Sequence, residues 1–277
     1  MKNRTVASLA VAVGVMVMFL PVMVSAVSID RYVIASGGRG GMSAGSYSLS
    51  GTIGQAVVGT MTGGIYTLQS GFWHTVAAAQ APEEIADLTD AKSKADGKLV
   101  HTAGKIATTG FSDFTGFFYI EEPDRSSGIR VVATTTLGSV VRGATIEVTG
   151  TMATTAAGER YVGQATVSAS GTPAVLGPLG MTNKSMGGSN AGNPPLGQYG
   201  VVGGSGTNNI GLLVRACGQV VSFGSGYRVI DDGSGVLLRV DTTAAPSIPT
   251  SGYVTVTGVS SLYGSAGSAE RLLLAIN

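Results

Sequence analysis

Gly104-Lys105-Ile106, Phe117-Phe118-Tyr119-Ile120-Glu121-Glu122, Ser127-Gly128-Ile129-Arg130-Val131-Val132 and Arg142-Gly143-Ala144-Thr145-Ile146-Glu147-Val148-Thr149-Gly150 follow one another in the middle of the chain. The same order returns near the C-terminus as Gly218-Gln219-Val220, Tyr227-Arg228-Val229-Ile230-Asp231-Asp232, Ser234-Gly235-Val236-Leu237-Leu238-Arg239-Val240 and Ser251-Gly252-Tyr253-Val254-Thr255-Val256-Thr257-Gly258. Gly104 aligns with Gly218, Ile120 with Ile230, Gly128 with Gly235 and Gly150 with Gly258. Two copies of one β-unit in the same order are an internal repeat, and the expected fold starts from it.

Within the first copy, strands are expected at residues 99–108, 117–121, 128–132, 145–152 and 160–167. Five short strands joined by a mixture of long and tight connections suit a small closed barrel. Residues two apart share a face, so Ile146, Val148, Val254 and Val256 should point into their barrels. Phe118 and Ile120 form the natural core pair of the second strand, which turns Phe117 and Tyr119 outward.

Working toward the N-terminus, residues 83–95 read as a short helix. Ile85, Leu88, Ala91 and Ala95 share one face, with Glu83 and Glu84 in its first turn and Lys92 and Lys94 in its last. An Ala-rich connector precedes it. Before that, Tyr47-Ser48-Leu49-Ser50-Gly51 and Tyr66-Thr67-Leu68-Gln69-Ser70-Gly71 form a doubled strand motif in an antiparallel β-meander closed by Gly71-Phe72-Trp73. Lys2 and Arg4 followed by an apolar run and Val24-Ser25-Ala26 read as a secretory signal cleaved after Ala26, with no membrane span left afterwards.

Two resemblances follow from these residues. The Y-S-L-S-G-x-x-G-Q…Y-x-L-x-S-G-F-W segment resembles one found near the N-terminus of secreted, largely uncharacterised bacterial surface proteins. That implies export to the bacterial cell surface, not an activity. The run G-K-I-A-T-T-G…F-Y-I-E-E-P-D-R-S-S-G-I-R-V…G-A-T-I-E-V-T-G-T-M resembles the OB-fold modules attached to exported bacterial proteins. The expected organisation is therefore all-β: a signal peptide (1–26), a meander segment (27–75), a linker with one short helix (76–97) and two tandem OB-like barrels (98–170 and 210–277). Between the barrels, residues 171–209 are rich in Gly, Pro and Asn, which suits either a linker or an ordered excursion. Their scattered apolar residues favour an excursion packed across the barrels.

Composition limits the chemistry. Only 12% of residues are charged, and 17 basic against 16 acidic side chains leave a net charge of +1. Six basic residues face six acidic ones in the first barrel, and four face four in the second. No basic groove follows from that balance, which argues against single-stranded nucleic acid. His74 and His101 lie in different segments, outside any nucleophile frame, and two separated histidines with one cysteine do not make a zinc set. Neither a catalytic residue, a metal nor a cofactor is expected. Cys217 reads as a small buried hydrophobe, and Glu121-Glu122-Pro123-Asp124-Arg125 as a solvated turn. Asp231-Asp232-Gly233-Ser234-Gly235 reads as a tight corner rather than a calcium loop.

The expected function is an exported, non-catalytic binding or structural module that recognises an extracellular glycan or a surface protein. The alternatives are a single-strand binder and an enzyme with a site hidden in residues 171–209. An OB barrel presents ligands to its second and third strands. The candidate ligand face is accordingly Asp113, Phe114, Phe117, Tyr119 and Arg130. If residues 171–209 cover Phe117 and Tyr119, that patch is an internal interface instead.

Overall fold

The computed structural model describes residues 37–44, 47–53, 59–63, 66–70, 81–134 and 140–277. They divide between two units, residues 1–78 and 79–277. In the first, β1 (Gly37–Ala44) pairs antiparallel with β2 (Tyr47–Ile53), and β3 (Gly59–Gly63) with β4 (Tyr66–Ser70). The two Tyr-led strands expected from the doubled motif are β2 and β4. The leader, Gly71-Phe72-Trp73 and the Ala-rich connector as far as residue 80 lie outside the described residues.

The second unit holds both barrels. Alternation on β7 (Phe117–Glu121) buries Phe118 and Ile120 completely, and β9 (Thr145–Thr154) likewise buries Ile146 and Val148. Together with β6 (Leu99–Ala107), β8 (Gly128–Ala133) and β10 (Arg160–Ser170) they close in the order β6-β7-β8-β10-β9-β6. Only β8 and β10 run parallel. The second barrel repeats this with β14 (Leu213–Gly224), β15 (Tyr227–Asp231), β16 (Leu237–Asp241), β17 (Tyr253–Tyr263) and β18 (Glu270–Ala275). Its order is β14-β15-β16-β18-β17-β14, again with one parallel pair, β16 and β18. Val254 and Val256 point into its core, as alternation requires. Two closed five-stranded barrels of one topology are thus the body of the protein.

The strand register refines the repeat. Gly150 and Gly258 occupy the same place, opposite Val100 and Val214 on the first strands. A methyl on either would collide with a backbone carbonyl of the fifth strand, Gly163 in one barrel and Leu274 in the other. Closure of the barrel therefore explains both V-T-G endings. Gly104 does not superpose on Gly218. It lies in a bulge between Thr102 and Lys105, with φ of 73°, and Lys105 takes the place opposite Ile146 that Gly218 takes opposite Val254. Gly128 corresponds to Leu237 rather than Gly235, because Glu121 pairs with Gly128 and Asp231 with Leu237.

Each module also has a short extra strand and a helical turn ahead of its barrel. Residues 83–84 are not helical: β5 (Glu83–Glu84) runs parallel to β6, and Ile85 N–H donates to the His101 carbonyl at 2.7 Å. Helix α1 is shorter than expected, Leu88–Ser93, because Asp87 caps its start. In the second module β11 (Leu179–Gly180) runs parallel to β14, and a 3-10 turn (Asn183–Ser185) follows. So residues 171–209 are no tether, and as expected they pack on both barrels: Gln198 Nε2 donates to the Gly158 carbonyl of the first at 3.0 Å, and Val202 N–H to the Ala269 carbonyl of the second at 2.9 Å. Their first part opens the second module, and β12 (Ala191–Asn193) and β13 (Leu196–Gln198) form a small hairpin after it.

The acidic corners explain themselves here. Leu88 N–H donates to Glu122 Oε1 at 2.8 Å, and Asn183 N–H donates to Asp232 Oδ2 at 2.7 Å. In both modules the corner carboxylate between strands two and three satisfies the first free amide of the helical turn. Glu121 and Glu122 are consequently buried, not solvated. Glu122 also pairs with Lys105 at 2.7 Å. At the far end of each turn an arginine closes the carbonyls. Arg160 donates to the Lys92 carbonyl at 3.1 Å and to that of Lys94, and Arg271 donates to the Lys184 carbonyl at 3.3 Å. Cys217 is exposed, since Val214 and Ala216 take the inward positions of β14.

Candidate functional site

Phe117 and Tyr119 do face outward from β7, yet Tyr119 is wholly buried. Its cover is the second barrel, not residues 171–209. Leu213, Val259, Leu272 and Leu274 pack on it, with Phe114, Phe117 and Ile276 at the margin. Polar groups inside this joint are matched. Tyr119 Oη donates to Glu159 Oε1 at 2.7 Å, while Arg130 Nη2 donates to Glu159 Oε2 at 2.8 Å and to Tyr119 Oη at 2.7 Å. Ser261, from the second barrel, donates to Glu159 Oε2 at 2.8 Å. Burial first, and the adjacent Glu159 second, push the Tyr119 phenol up, so it stays a donor. Tyr119 and Arg130 therefore belong to the joint between barrels and do not form a free ligand face. The sequence expectation fails for these two residues because what covers Tyr119, from Leu213 to Leu274, belongs to the other barrel.

Asp113, Phe114 and Phe117 have a different fate. They line one wall of a cleft of about 290 Å³ where the barrels meet. Thr115 completes that wall, and Asp241, Thr243, Ala244 and Leu274 of the second barrel line the other. Phe114 and Phe117 stack at 4.9 Å and 8°, and the Arg130 guanidinium lies 4.4 Å from the Phe117 ring. Both phenylalanines are only half-buried. Asp113 is saturated: it accepts from Arg142 at 2.7 and 2.8 Å and from Gly110 N–H at 2.6 Å. Arg142 in turn donates to the Asn277 main-chain oxygen at 2.7 Å, and Asn277 Nδ2 donates to the Ala244 carbonyl at 2.8 Å. The acidic group open to a ligand is Asp241, whose only protein donor among the described residues is Thr243 N–H at 2.8 Å. A half-exposed aromatic stack, an apolar floor at Leu274, one carboxylate and two threonine hydroxyls can seat a flat-faced ligand rich in hydroxyls.

A second, smaller cleft of about 180 Å³ lies beside α1, between Ser126-Ser127 and residues 191–208. Lys92 lines it together with Thr89, Ser93 and Asn208. Its Nζ donates to the Ile210 carbonyl at 2.8 Å, and burial lowers its pKa to about 8 against the pull of Glu159, Glu121 and Asp87. Among the described residues, no three His, Cys, Asp or Glu side chains gather closely enough to hold a metal ion, and no helix is long and apolar enough to cross a membrane.

Sequence reasoning missed Glu159, Asp241, Arg142 and Lys92. Glu159-Arg160 and Glu270-Arg271 are a repeated pair visible in the sequence, and aligning them would have marked the start of the fifth strand and its buried carboxylate. No protein-family model, curated protein or solved structure matches the chain.

Proposed function

We propose that this protein is an exported, non-catalytic binding module of the bacterial cell surface and that it holds an extracellular glycan in the cleft between its barrels. The observation that carries this reading is the Phe114–Phe117 stack facing Asp241 and Thr243 across an open cleft. Sugar rings present C–H faces to aromatic rings and hydroxyls to carboxylates, and this wall pair offers both. The N-terminal leader pattern supports export. The balanced charge of both barrels supports a neutral ligand over a polyanion.

The test is a glycan array probed with the chain starting at Val27, beside single-stranded oligonucleotides as a separate arm. Phe114→Ala and Asp241→Asn should each weaken glycan binding by about tenfold or more, with the melting temperature unchanged for Asp241→Asn. Binding that survives both changes moves the ligand out of the cleft, and binding only to oligonucleotides replaces the reading.

One observation favours an enzyme instead: Lys92, an amine titrating near 8 beside a polar cleft partly walled by residues 191–208. Selective modification of Lys92 by an amine-directed acylating reagent at pH 8, with other lysines spared, would support that reading.

A further inference from the structure

The cleft between the barrels does not end at Asp241. On β15 and β16 the side chains of Ile230, Leu238 and Val240 point into the core, which turns Tyr227, Val229 and Asp231, with Leu237, Arg239 and Asp241, to the outer side. Asp241 is paired on one side with Leu274, the floor of the cleft, and on the other with Tyr227. Arg239 and Leu237 lie further along β16. The cleft therefore opens onto a strip of sheet that runs on for about 13 Å, at roughly 3.3 Å per residue. That is longer than one sugar ring.

The strip holds polar groups with bonding capacity to spare. Arg239 rests between two rings, 3.9 Å from that of Tyr227 and 4.4 Å from that of Tyr263, and among the described residues it has no hydrogen-bonded or ionic partner. Its counterpart in the first barrel is spent: Arg130, paired with Tyr119 as Arg239 is with Val229, donates to Glu159 and to Tyr119. Around Arg239 the rings fix the planar fork and leave its N–H groups free, so it is preorganised for adjacent acceptors. Asp231 and Asp241 each accept one main-chain N–H, from Gly233 and Thr243, both at 2.8 Å. Glu270, paired with Tyr263, is exposed and has no salt bridge among the described residues. Leu237 and Tyr263, 55% and 46% exposed, add apolar surface at the far end of the strip.

From this we infer that the ligand of the cleft is a linear, neutral oligosaccharide whose chain continues over the outer face of β15 and β16, with Arg239 as a second subsite. The inference rests on the glycan reading of the cleft and extends it. Continuity with the cleft and the charge pattern together select this occupant. Asp231, Asp241 and Glu270 around one guanidinium repel a polyanion. A cationic ligand would stack on the tyrosine faces, and Arg239 already holds them. Sugar hydroxyls both donate and accept, so one chain satisfies the Arg239 fork and the neighbouring carboxylates together. Its C–H faces suit the apolar end at Tyr263 and Leu237.

Calorimetric titration of the chain from Val27 with ladders of the cello, xylo, malto and N-acetylchito series, from single sugars to hexamers, tests it. In the series that binds, affinity should rise about tenfold or more from the disaccharide to the tetramer, as the chain reaches Arg239. Arg239→Ala and Tyr263→Ala should each cost the tetramer about tenfold more than they cost the disaccharide, whereas Phe114→Ala should weaken both alike. Arg239→Lys, which keeps the charge and loses the fork, should also lose most of the gain with length. A series whose disaccharide needs Phe114 but whose affinity is flat with length overturns the extension and leaves the cleft reading standing. So does a gain with length that no change at Arg239 or Tyr263 touches, since the chain then leaves the cleft elsewhere. Oligogalacturonates that bind more tightly than every neutral ladder overturn the neutral class. If no ladder binds at all, the cleft reading falls and this inference with it.

Discussion

The two barrels share a topology and nearly a register, but the same positions do different work in them. At the start of the third strand the first barrel has Gly128 and the second has Leu237. Gly128 is buried against the backbone of Gly211, so close that a methyl on either residue would run into the other's carbonyl. Leu237 meets solvent. At the start of the fifth strand, Glu159 is buried and holds three donors, whereas Glu270 is exposed. Duplication supplied two equal barrels, and docking one on the other divided their surfaces into a joint and a free face. An aligned residue thus has the same structural address in both copies, while its energetic role depends on what covers it.

The sharpest way to break the comparison is Glu159→Ala against Glu270→Ala. The first strips a buried carboxylate from Tyr119, Arg130 and Ser261 and leaves a buried guanidinium unpaired, a loss of about 3–5 kcal/mol. The second, at an exposed position, should stay within about 0.5 kcal/mol. Urea unfolding at low protein concentration measures both. Equal losses would mean that the second barrel's carboxylate is engaged too.

Next comes Gly128→Ala. The added methyl forces apart the Gly128 and Gly211 backbones and should cost about 1–3 kcal/mol, as overpacking does, whereas Leu237→Ala should be near neutral. Beside that contact, Glu121 accepts from Leu213 N–H, and Arg125 donates to the Leu213 carbonyl at 2.8 Å. Loss of docking should therefore appear as a separate unfolding transition of one barrel.

Much of this architecture was open to reading because strand alternation and turn glycines are local. The core residues of β7 and β9, the barrel closure and the V-T-G endings all follow from patterns a few residues long. Cys217 could have been placed outward by the same alternation, since Val214 and Ala216 claim the core. The candidate site was only half readable. Phe114, Phe117 and Asp113 do line a cleft, but its other wall, from Asp241 to Leu274, belongs to a different barrel. The fate of Tyr119 and Glu121 turned on Leu213 and Val259, whose approach no local pattern announces. Two-residue strands such as β5 and β11 are too short to have a period at all.

Lys92 distinguishes the modules by pH, since it is buried on α1 whereas Lys184, the lysine of the 3-10 turn, is exposed. Its pKa falls from the usual 10.5 to about 8 on folding, chiefly through burial. Between those values the unfolded chain binds the extra proton, so stability should rise from pH 8 to about 10.5. Lys92→Met should flatten that rise. A slope of the opposite sign would show that the ammonium is stabilised by Glu159 and Glu121 more than burial opposes it.

The smallest effect sits where each module's extra strand joins its barrel. His101 of β6 bonds Glu84 of β5 at 2.6 Å and Glu147 of β9 at 3.0 Å. Those carboxylates, Glu84 first, raise its pKa above 6.5. A raised folded pKa adds stability that is full below the unfolded value of 6.5 and is lost as pH climbs through the folded one. The carboxylates are largely exposed, so screening leaves a few tenths of a kcal/mol. In the second barrel this position, opposite Thr257 as His101 is opposite Thr149, is Arg215, which donates to Thr257 Oγ1 at 3.1 Å. His101→Arg should therefore carry the second barrel's behaviour into the first: amide hydrogen exchange at Ile85, whose N–H bonds the His101 carbonyl, should lose its excess opening above neutral pH. If opening at Ile85 rises with pH equally in both forms, after correction for intrinsic exchange, His101 does not hold β5 and the two modules fasten their first strands by backbone pairing alone.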